Sequence, residues 1–345
     1  MRTGLANARR VRARRSTRPL TTWPLAAVLG GLGLVTALHG AVTFETTTAY
    51  HHLQVVDHLG LRVLSFDGDL QSRMSLANPA QGHFEYTEYF HMPWLLNSQM
   101  NNVLMIGLGG ASTQRAYQLY APEVVVDTVE IDPVVVQVAK DYFQLKESPT
   151  LKVHQEDGRT FLRRSQKRYD VILMDAYQRN RYGSFIPHHL VTREFFALAN
   201  EHLTFDGVLA YNVICTWQGR QAEVLGAVYQ TLKAVFPQVY SFPARESQNI
   251  VLIATKSKEP TTATALSQRA VDLVRRGWVA LPTFLTRVQA FRADVPPSAA
   301  RSLVLTDDFA PVDGLLKGGS LGRGSPTGPP GAGAGDPRLP RPRAP

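Results

Sequence analysis

Three carboxylates each end a short strand-like segment of this 345-residue chain, and a glycine-rich turn ends the segment before them. The turn is Gly107-Leu-Gly-Gly110, and the acids are Glu130, Asp157 and Asp175. A glycine turn lets a ligand approach the backbone closely, and the N-terminus of a following helix offers unpaired N–H groups. Carboxylates can bind ribose hydroxyls or an adenine amino group, or accept hydrogen bonds from a reacting amine. Together these residues predict a nucleoside site beside a catalytic carboxylate.

Two of the acids have positions that indicate individual tasks. Glu130 lies 23 residues after Gly107, close to the usual separation between a glycine loop and the acid that binds ribose hydroxyls. A dinucleotide enzyme would use an acid there too, although the spacing G-x-G-G does not match the dinucleotide fingerprint. Asp175 ends the most hydrophobic segment, where a carboxylate is costly to bury unless it is paired or catalytic. We therefore predict that Glu130 binds a ribose and that Asp175 carries the chemistry.

Asp132 and Asp157 each have two interpretations. Asp132 precedes Pro133 at the start of a predicted helix, and Asp157 precedes Gly158 and a second predicted helix. Each side chain can bind a nucleoside, or it can accept a hydrogen bond from a free N–H group at the helix N-terminus. The glycine turn taken alone is also compatible with a tight strand-to-helix connection.

Alternating strand and helix patterns provide the elements that position these groups. Because βα loops emerge at the carboxyl ends of parallel strands, a doubly wound sheet brings the turn and the acids to one edge. The first predicted strands cover 103–107, 124–130, 153–157 and 169–174, with helices over 112–119, 134–143 and 159–164. Later patterns predict strands over 207–213 and 250–255 and helices over 223–236 and 264–278. The predicted fold class is therefore α/β.

Taken together, these motifs resemble the polyamine aminopropyltransferase (spermidine synthase) family, in a divergent form typical of membrane-linked bacterial homologues. The resemblance covers residues 48–257 and includes four further segments: Tyr50-His-His-Leu-Gln-Val-Val56, Leu64-Ser-Phe-Asp-Gly-Asp-Leu-Gln71, Phe84-Glu-Tyr-Thr-Glu-Tyr-Phe-His91 and Ile186-Pro-His-His-Leu-Val-Thr-Arg-Glu-Phe-Phe196. It implies a small N-terminal β-hairpin domain over 46–95. It also implies a Rossmann-like, class I methyltransferase-type catalytic domain over 96–316.

The resemblance implies a reaction without a prosthetic group or a metal. Decarboxylated S-adenosylmethionine is the co-substrate, and a polyamine nitrogen attacks the carbon next to its sulfonium, which releases methylthioadenosine. Asp175 accepts hydrogen bonds from the attacking amine. The implied nucleoside-binding residues are His51, Gly107, Gly109, Gly110, Glu130, Asp132, Asp157 and Gly158. The implied amine-binding residues are Tyr86, Glu88 and Gln71.

Two departures from the family pattern concern acids. Gly110 stands where the family loop carries an aspartate, which would attract an ammonium and repel the carboxylate of S-adenosylmethionine. Gln178 stands where a second acid usually follows Asp175, with Arg179 and Arg181 nearby. The acids Asp307 and Asp308 either fold back over the cleft in compensation or form a solvated turn that docks the C-terminal segment.

Two other functions use the same elements. An S-adenosylmethionine-dependent methyltransferase would need the same sheet, loop and ribose acid, and a non-catalytic nucleoside-binding homologue would retain the site alone. A metal site is not predicted, because the pairs His51-His52 and His188-His189 are adjacent in sequence and so point apart on a regular element. Cys215, the one cysteine, is predicted to be a packed core thiol.

The positive charge of the chain belongs to its ends. The formal charge is +9, of which residues 1–23 contribute +7 and residues 317–345 contribute +4, leaving −2 for the rest. We therefore do not expect the fold to bind nucleic acid. The Gly/Pro/Arg composition of 317–345 predicts a disordered tail. Because members of the resembled family are commonly dimers or tetramers, a homodimer is expected.

The N-terminal 45 residues form a separate unit in the sequence pattern. An arginine cluster precedes a mostly apolar segment over 24–43, which is just long enough for a transmembrane span and also fits a secretory signal or a surface arm. We expect the protein to be associated with the membrane through this segment, with a cytoplasmic location as the alternative.

Overall fold

A four-stranded antiparallel sheet comes first among residues 40–180, 183–219 and 221–315, which are the residues that the structure, a computed structural model, describes. Its strands follow chain order: β1 Ala41–Thr47, β2 His52–His58, β3 Leu61–Phe66 and β4 Asp69–Ser75. Two-residue turns with positive φ, Leu59-Gly60 and Asp67-Gly68, join the last three strands, because such turns match the twist of a hairpin. A 3₁₀ segment, Glu85–Leu95, then leads to the second sheet.

The second sheet has seven strands in the order β12-β13-β11-β8-β5-β6-β7. Its strands are β5 Asn102–Ile106, β6 Val125–Glu130, β7 Leu151–Gln155, β8 Tyr169–Met174, β11 Leu203–Ile214, β12 Gln238–Pro243 and β13 Asn249–Thr255. The five strands from β11 to β7 are parallel, and β13 and β12 are antiparallel to their neighbours. The strand order reverses between β5 and β8, and ligands of doubly wound folds bind at such a reversal. The short hairpin β9 Gln178–Asn180 and β10 Gly183–Phe185 follows β8 directly.

Helices cover both faces of the seven-stranded sheet, so its central strands are continuous apolar runs. The α-helices are α1 Ser112–Tyr120, α2 Pro133–Tyr142, α3 Gly158–Arg164, α4 Arg193–His202, α5 Ala222–Lys233, α6 Ala263–Arg275, α7 Phe284–Val288 and α8 Val312–Leu315. Two further 3₁₀ turns are His188–Leu190 and Pro297–Arg301. Every residue of β13 is buried. This two-sided burial keeps the strand ends, and therefore the acids on them, in fixed positions.

Polar contacts join the small sheet to the large one beside the glycine turn. Thr48 donates a hydrogen bond to Asp132 Oδ2 over 2.6 Å, and the N–H of Gly110 donates to Ser72 Oγ over 2.8 Å. Arg62 donates hydrogen bonds from two nitrogens to Asp57, each over 2.7 Å. It also donates to the main-chain oxygen of Tyr142 at the end of α2. The small sheet therefore forms one wall next to the turn.

The fold-class prediction is confirmed: the structure is α/β, with a Rossmann-like, methyltransferase-type sheet and an N-terminal β-sheet. The strand predicted over 207–213 begins earlier, at Leu203. Its first residues lack an apolar strand pattern, because they are partly exposed and precede a shift in register before Val208. The helix predicted over 264–278 ends at Arg275, and Gly277 with φ 71° closes it.

The terminal predictions fall largely outside the described residues. Residues 1–39, which hold most of the predicted 24–43 segment, and the predicted tail 317–345 are not among the described residues. Residues 41–43 of that segment belong to β1. Across the part of the chain that the structure describes, no helix combines the length and apolar character needed to cross a membrane.

Candidate active site

Asp175 stands directly after β8, at the reversal of strand order, with both carboxylate oxygens engaged. Asn212 Nδ2 donates to Oδ1 over 2.8 Å, and the hydroxyl of Tyr86 donates to Oδ2 over 3.1 Å. Burial raises the pKa of Asp175 to about 6, although these two donors oppose the shift. The structure thus brings together Asp175 and Tyr86, two residues predicted from the sequence. It adds Asn212, which the sequence reasoning missed.

The glycine turn packs against the main chain of Asp175. Gly107 has φ 104°, and a Cβ atom at this position would lie 2.1 Å from the main-chain oxygen of Asp175. A Cβ atom on Gly110 would lie 2.7 Å from Ser72 Cβ and 3.0 Å from the ring of Phe143. Ser72 and Phe143 therefore fill the space in which an acid at position 110 would begin, so an acid there would require one of them to move.

Glu130 ties the glycine turn to the loop after β6. Its oxygens accept hydrogen bonds from the N–H groups of Leu108 at 3.1 Å and Asp132 at 3.0 Å. Burial raises the pKa of Glu130 to about 7, against the lowering effect of these N–H groups. Asp132 caps α2 through the N–H of Val134 at 2.9 Å, and its other oxygen accepts from Thr48. Capping is therefore present at Asp132, and the ribose role of Glu130 stays a prediction.

Asp157 caps α3 and faces a histidine. Its Oδ1 accepts from the N–H of Thr160 at 2.8 Å, and its Oδ2 lies 2.7 Å from His189 Nε2. Although burial acts to raise it, hydrogen bonds from His189 and Thr160 lower the pKa of Asp157 to about 2. Gly158 is the first residue of this helix. The adenine contact implied for Asp157 and Gly158 stays a prediction, because the observed partners belong to the chain itself.

His51 and Gln71 lie on the small sheet. The ring of His51 stacks on Phe66, with centroids 4.3 Å apart, and its Nδ1 lies 3.8 Å from Asp67 Oδ2. Burial lowers the pKa of His51 despite the nearby Asp67. Gln71 donates to the main-chain oxygen of Asp69 over 3.4 Å. Both assignments, His51 to the nucleoside and Gln71 to the amine, stay predictions.

Glu88 is neutralised by a partner that the sequence did not indicate. Arg287, in α7, contacts Glu88 through Nε and Glu85 through Nη1, the latter over 2.8 Å. His83 Nε2 lies 2.8 Å from the other oxygen of Glu88. Burial acts to raise the pKa of Glu88, but the bonds with His83 and Arg287 lower it to about 2. Glu88 also lines a cavity of about 290 Å³ between residues 79–88 and α1, which neither Tyr86 nor Asp175 lines.

Of the two C-terminal acids, Asp307 docks its own segment. Asp307 accepts two hydrogen bonds from Arg159, at 2.8 and 2.6 Å, and one from Thr192 at 2.7 Å. Asp308 is exposed. The docking interpretation therefore describes Asp307, whose charge is already paired, and compensation by Asp308 stays a prediction. The side chain of Arg179 and all of Arg181 lie outside what the structure describes.

The remaining candidate groups are the thiol of Cys215 and the two pairs of adjacent histidines. Cys215 is buried, and burial raises the pKa of its thiol. Within residues 40–180, 183–219 and 221–315, no group of three His, Cys, Asp or Glu side chains is placed to hold a metal ion. His188 lies 3.7 Å from Asp313, whereas His189 contacts Asp157, so the adjacent histidines point to different partners.

Known proteins resemble this chain in sequence and in fold. A model of the spermine/spermidine synthase domain matches residues 83–265. A polyamine aminopropyltransferase of Vibrio vulnificus is 31% identical over 298 residues, which are 83% of this chain and 93% of the relative. Spermidine synthase from Thermotoga maritima has a TM-score of 0.53 and 19% identity, over 72% of this chain and 87% of that one. Human methyltransferase-like protein 13, in complex with SAH, has a TM-score of 0.50 and 27% identity, over 56% of this chain and 92% of that one.

The fold and the site define a methyltransferase-type α/β protein in which a carboxylate ends the strand next to a glycine turn. Proteins that share this fold class catalyse different reactions, so the class alone does not identify a reaction. The domain model covers more than half of the chain, and the Vibrio relative matches most of both sequences. The chain belongs to the spermine/spermidine synthase family, as the sequence motifs predicted.

Proposed function

We propose that the protein transfers the aminopropyl group of decarboxylated S-adenosylmethionine to a polyamine and releases methylthioadenosine. The observation that carries the proposal is the carboxylate of Asp175, held by Tyr86 and Asn212 next to the glycine turn. The relative from Vibrio vulnificus, whose length this chain matches almost completely, is a polyamine aminopropyltransferase. The co-substrate supplies the transferable group, so the reaction needs no prosthetic group.

The proposed reaction forms one bond and breaks one. The lone pair of an amine nitrogen attacks the carbon attached to the sulfonium, and the electrons of the broken C–S bond neutralise the sulfur. An ammonium has no lone pair, so the attacking nitrogen must first release one proton to the solvent. Asp175, with a pKa of about 6, is a carboxylate at neutral pH and can accept hydrogen bonds from the amine. Because both its oxygens are already positioned, the carboxylate is presented in one orientation.

We assign the other predicted residues to the two ends of the cleft as part of this proposal. The nucleoside end comprises His51, Gly107, Gly109, Gly110, Glu130, Asp132, Asp157 and Gly158. Tyr86 belongs to the amine end through its contact with Asp175. For Gln71 and Glu88 the amine assignment stays a prediction, and the ion pair with Arg287 leaves Glu88 little attraction for a second cation.

Methyl transfer from S-adenosylmethionine is not favoured, and neither is a non-catalytic nucleoside-binding role. Human methyltransferase-like protein 13 matches 56% of this chain, whereas the aminopropyltransferase of Vibrio vulnificus matches 83%. Asp175 is a buried carboxylate with one hydrogen-bond donor on each oxygen, an arrangement that is costly unless the carboxylate takes part in the chemistry. Homodimer formation and membrane association through the 24–43 segment stay predictions.

The test is a product assay with the full-length chain. The protein is incubated with decarboxylated S-adenosylmethionine and a panel of di- and polyamines, and methylthioadenosine is measured by mass spectrometry. We expect release with at least one amine, and at least a hundredfold loss, roughly the contribution of acid–base groups, in Asp175→Asn, which should still bind the nucleoside. Asp170→Asn is the matched control, because Asp170 lies at the opposite end of the same strand, bonded to the N–H groups of Asn101 and Asn102.

Three outcomes would change the proposal. Turnover by Asp175→Asn at the wild-type rate would remove Asp175 from the chemistry. Formation of S-adenosylhomocysteine from S-adenosylmethionine, with no methylthioadenosine from the decarboxylated form, would establish methyl transfer instead. Absence of either product with every amine would contradict catalysis of this class.

A further inference from the structure

Two buried asparagines lie behind Asp175 in the core of the seven-stranded sheet. Asn212 is 1% exposed and belongs to β11, and Asn249 is 8% exposed and opens β13. The residues around them on both strands are apolar and buried. A buried amide destabilises a core unless its donors and acceptors are satisfied, so two of them in adjacent strands need a specific reason.

The two amides and the carboxylate form one chain of hydrogen bonds. Asn249 Nδ2 donates to Asn212 Oδ1 over 3.0 Å, and Asn212 Nδ2 donates to Asp175 Oδ1 over 2.8 Å. The strand register explains the first contact: Asn212 pairs with Val251 and Ile214 pairs with Asn249, so the two asparagines are diagonal neighbours on one face.

The direction of these hydrogen bonds depends on both ends of the series: the carboxylate of Asp175 can only accept, and Asn249 presents its NH₂ group to Asn212. An isolated asparagine can present either its NH₂ group or its oxygen, since a flip of the side-chain amide exchanges the two. A flipped Asn212 would turn its NH₂ group against the NH₂ group of Asn249 and its oxygen against the carboxylate of Asp175. Both contacts would be repulsive, so the donor of Asn249 keeps the donor of Asn212 on Asp175.

The backbone at Asn212 is fixed as well. The hydroxyl of Tyr177 donates to the main-chain oxygen of Asn212 over 2.8 Å and accepts from the N–H of Ile214 over 2.8 Å. In the described part of the chain, two titratable side chains interact electrostatically with Asp175: the phenols of Tyr86 and Tyr177. Burial raises the pKa of each phenol well above its usual range, so neither phenol titrates near neutrality. Glu130, whose pKa burial raises to about 7, is the other buried acid near the glycine turn, so the titration of Asp175 must be assigned to its own carboxyl carbon.

We propose that Asn249 is a positioning residue for the reaction, which acts through Asn212 to hold Asp175 as a hydrogen-bond acceptor in its carboxylate form. The catalytic consequence rests on the proposed aminopropyl transfer, whereas the orientation of Asn212 does not. A donor aimed at Oδ1 favours the charged form, and an acceptor in the same place would favour the protonated acid.

The test replaces Asn249 with residues that remove or reverse the donor. In Asn249→Leu the amide of Asn212 is free to turn, and in Asn249→Asp an acceptor faces Asn212 and draws its NH₂ group away from Asp175. Ser241→Ala is the control, because Ser241 is a fully buried polar residue of the adjacent strand β12 whose hydroxyl has no recorded partner. The carboxyl carbon of Asp175 is titrated by NMR in each protein and assigned with Asp175→Asn.

We expect the titration of Asp175 to move upward by about one pH unit in Asn249→Leu and further in Asn249→Asp, with no movement in Ser241→Ala. The acid limb of kcat/KM should move with it, giving about a fivefold loss at pH 6 and about a tenfold loss near pH 5. An Asp175 titration that stays at the wild-type value in either folded variant overturns the inference. Shifted titrations in a protein that releases no methylthioadenosine would support the inference and reject the proposed function.

Discussion

Arg287 holds two buried carboxylates on the segment that carries Tyr86, and its replacement tests this view of the site. In Arg287→Met the side chain keeps much of its apolar length but loses its charge. The side chains of Glu85 and Glu88 are 1% and 10% exposed, so water would replace the lost partner poorly. We expect the variant to fold with a large loss of stability.

The magnitude follows from the pKa of Glu88. In the folded protein the pKa of Glu88 falls from its ordinary 4.5 to about 2, which corresponds to about 3 kcal/mol shared among His83, Thr283 and Arg287 at 1.36 kcal/mol per pH unit. His83 still contacts Glu88 in the variant, but Glu85 also loses its cation. Removal of one partner from a buried ion pair typically costs about 3–5 kcal/mol, so we expect about 3 kcal/mol.

The assay is urea unfolding of the wild-type and variant chains between pH 7 and 3.5. A carboxylate with a lowered pKa stabilises the folded state above pH 4.5, and this stabilisation is lost as pH falls toward 2. The difference between the two proteins should therefore be largest at pH 7 and should shrink below pH 4.5. The double variant Glu88→Gln/Arg287→Met should recover part of the loss, because no unpaired charge remains at that position.

A surface arginine provides the comparison. Arg275 pairs with Asp272 one helical turn away, and the two side chains are 74% and 51% exposed. Arg275→Met should therefore change the free energy of unfolding by less than about 0.5 kcal/mol. A loss in Arg287→Met as small as that of Arg275→Met, or one that does not vary with pH, would refute the assignment of a buried ionic anchor.

Two further substitutions test the immediate surroundings of Asp175. Tyr86→Phe removes the donor to Asp175 Oδ2, so the pKa of Asp175 should rise above about 6. The acid limb of kcat/KM should then move to higher pH. An unmoved limb would show that the phenol does not control the pKa of Asp175. Gly107→Ala places a Cβ atom 2.1 Å from the main-chain oxygen of Asp175 at φ 104°. Calorimetry should show at least a tenfold weaker nucleoside affinity, about 1.4 kcal/mol, and wild-type affinity would mean that the turn adapts.

The strands and the groups at their ends could be predicted from the sequence because each is a local pattern. An apolar run followed by glycine or an acid specifies a buried strand and a polar end, and parallel pairing places those ends together. The contact between Tyr86 and Asp175 spans 89 residues, and only the resemblance to a family linked them in advance. The same local reasoning left Asp132 and Asp157 with two interpretations, since a helix cap and a ligand contact use the same side-chain oxygen.

What could not be predicted are the partners. Asn212 and Asn249 lie in strands recognised by their apolar residues, and no periodicity indicates that two amides in such strands meet. Arg287 belongs to a short helix without a strong pattern, yet it neutralises Glu88. The packing of Ser72 against Gly110 likewise depends on how two sheets approach each other, which a local pattern does not contain.

The ion pair of the 3₁₀ segment has a consequence for the synthesis of the protein on the ribosome. Glu85 and Arg287 are separated by 202 residues, and Glu88 and Arg287 by 199. Both acids therefore leave the ribosome long before their arginine and remain hydrated until it arrives, because a buried lone carboxylate is too costly. The segment that presents Tyr86 acquires its final anchor only when α7 has emerged. A chain that ends before α7 would contain every predicted site residue but lack this anchor.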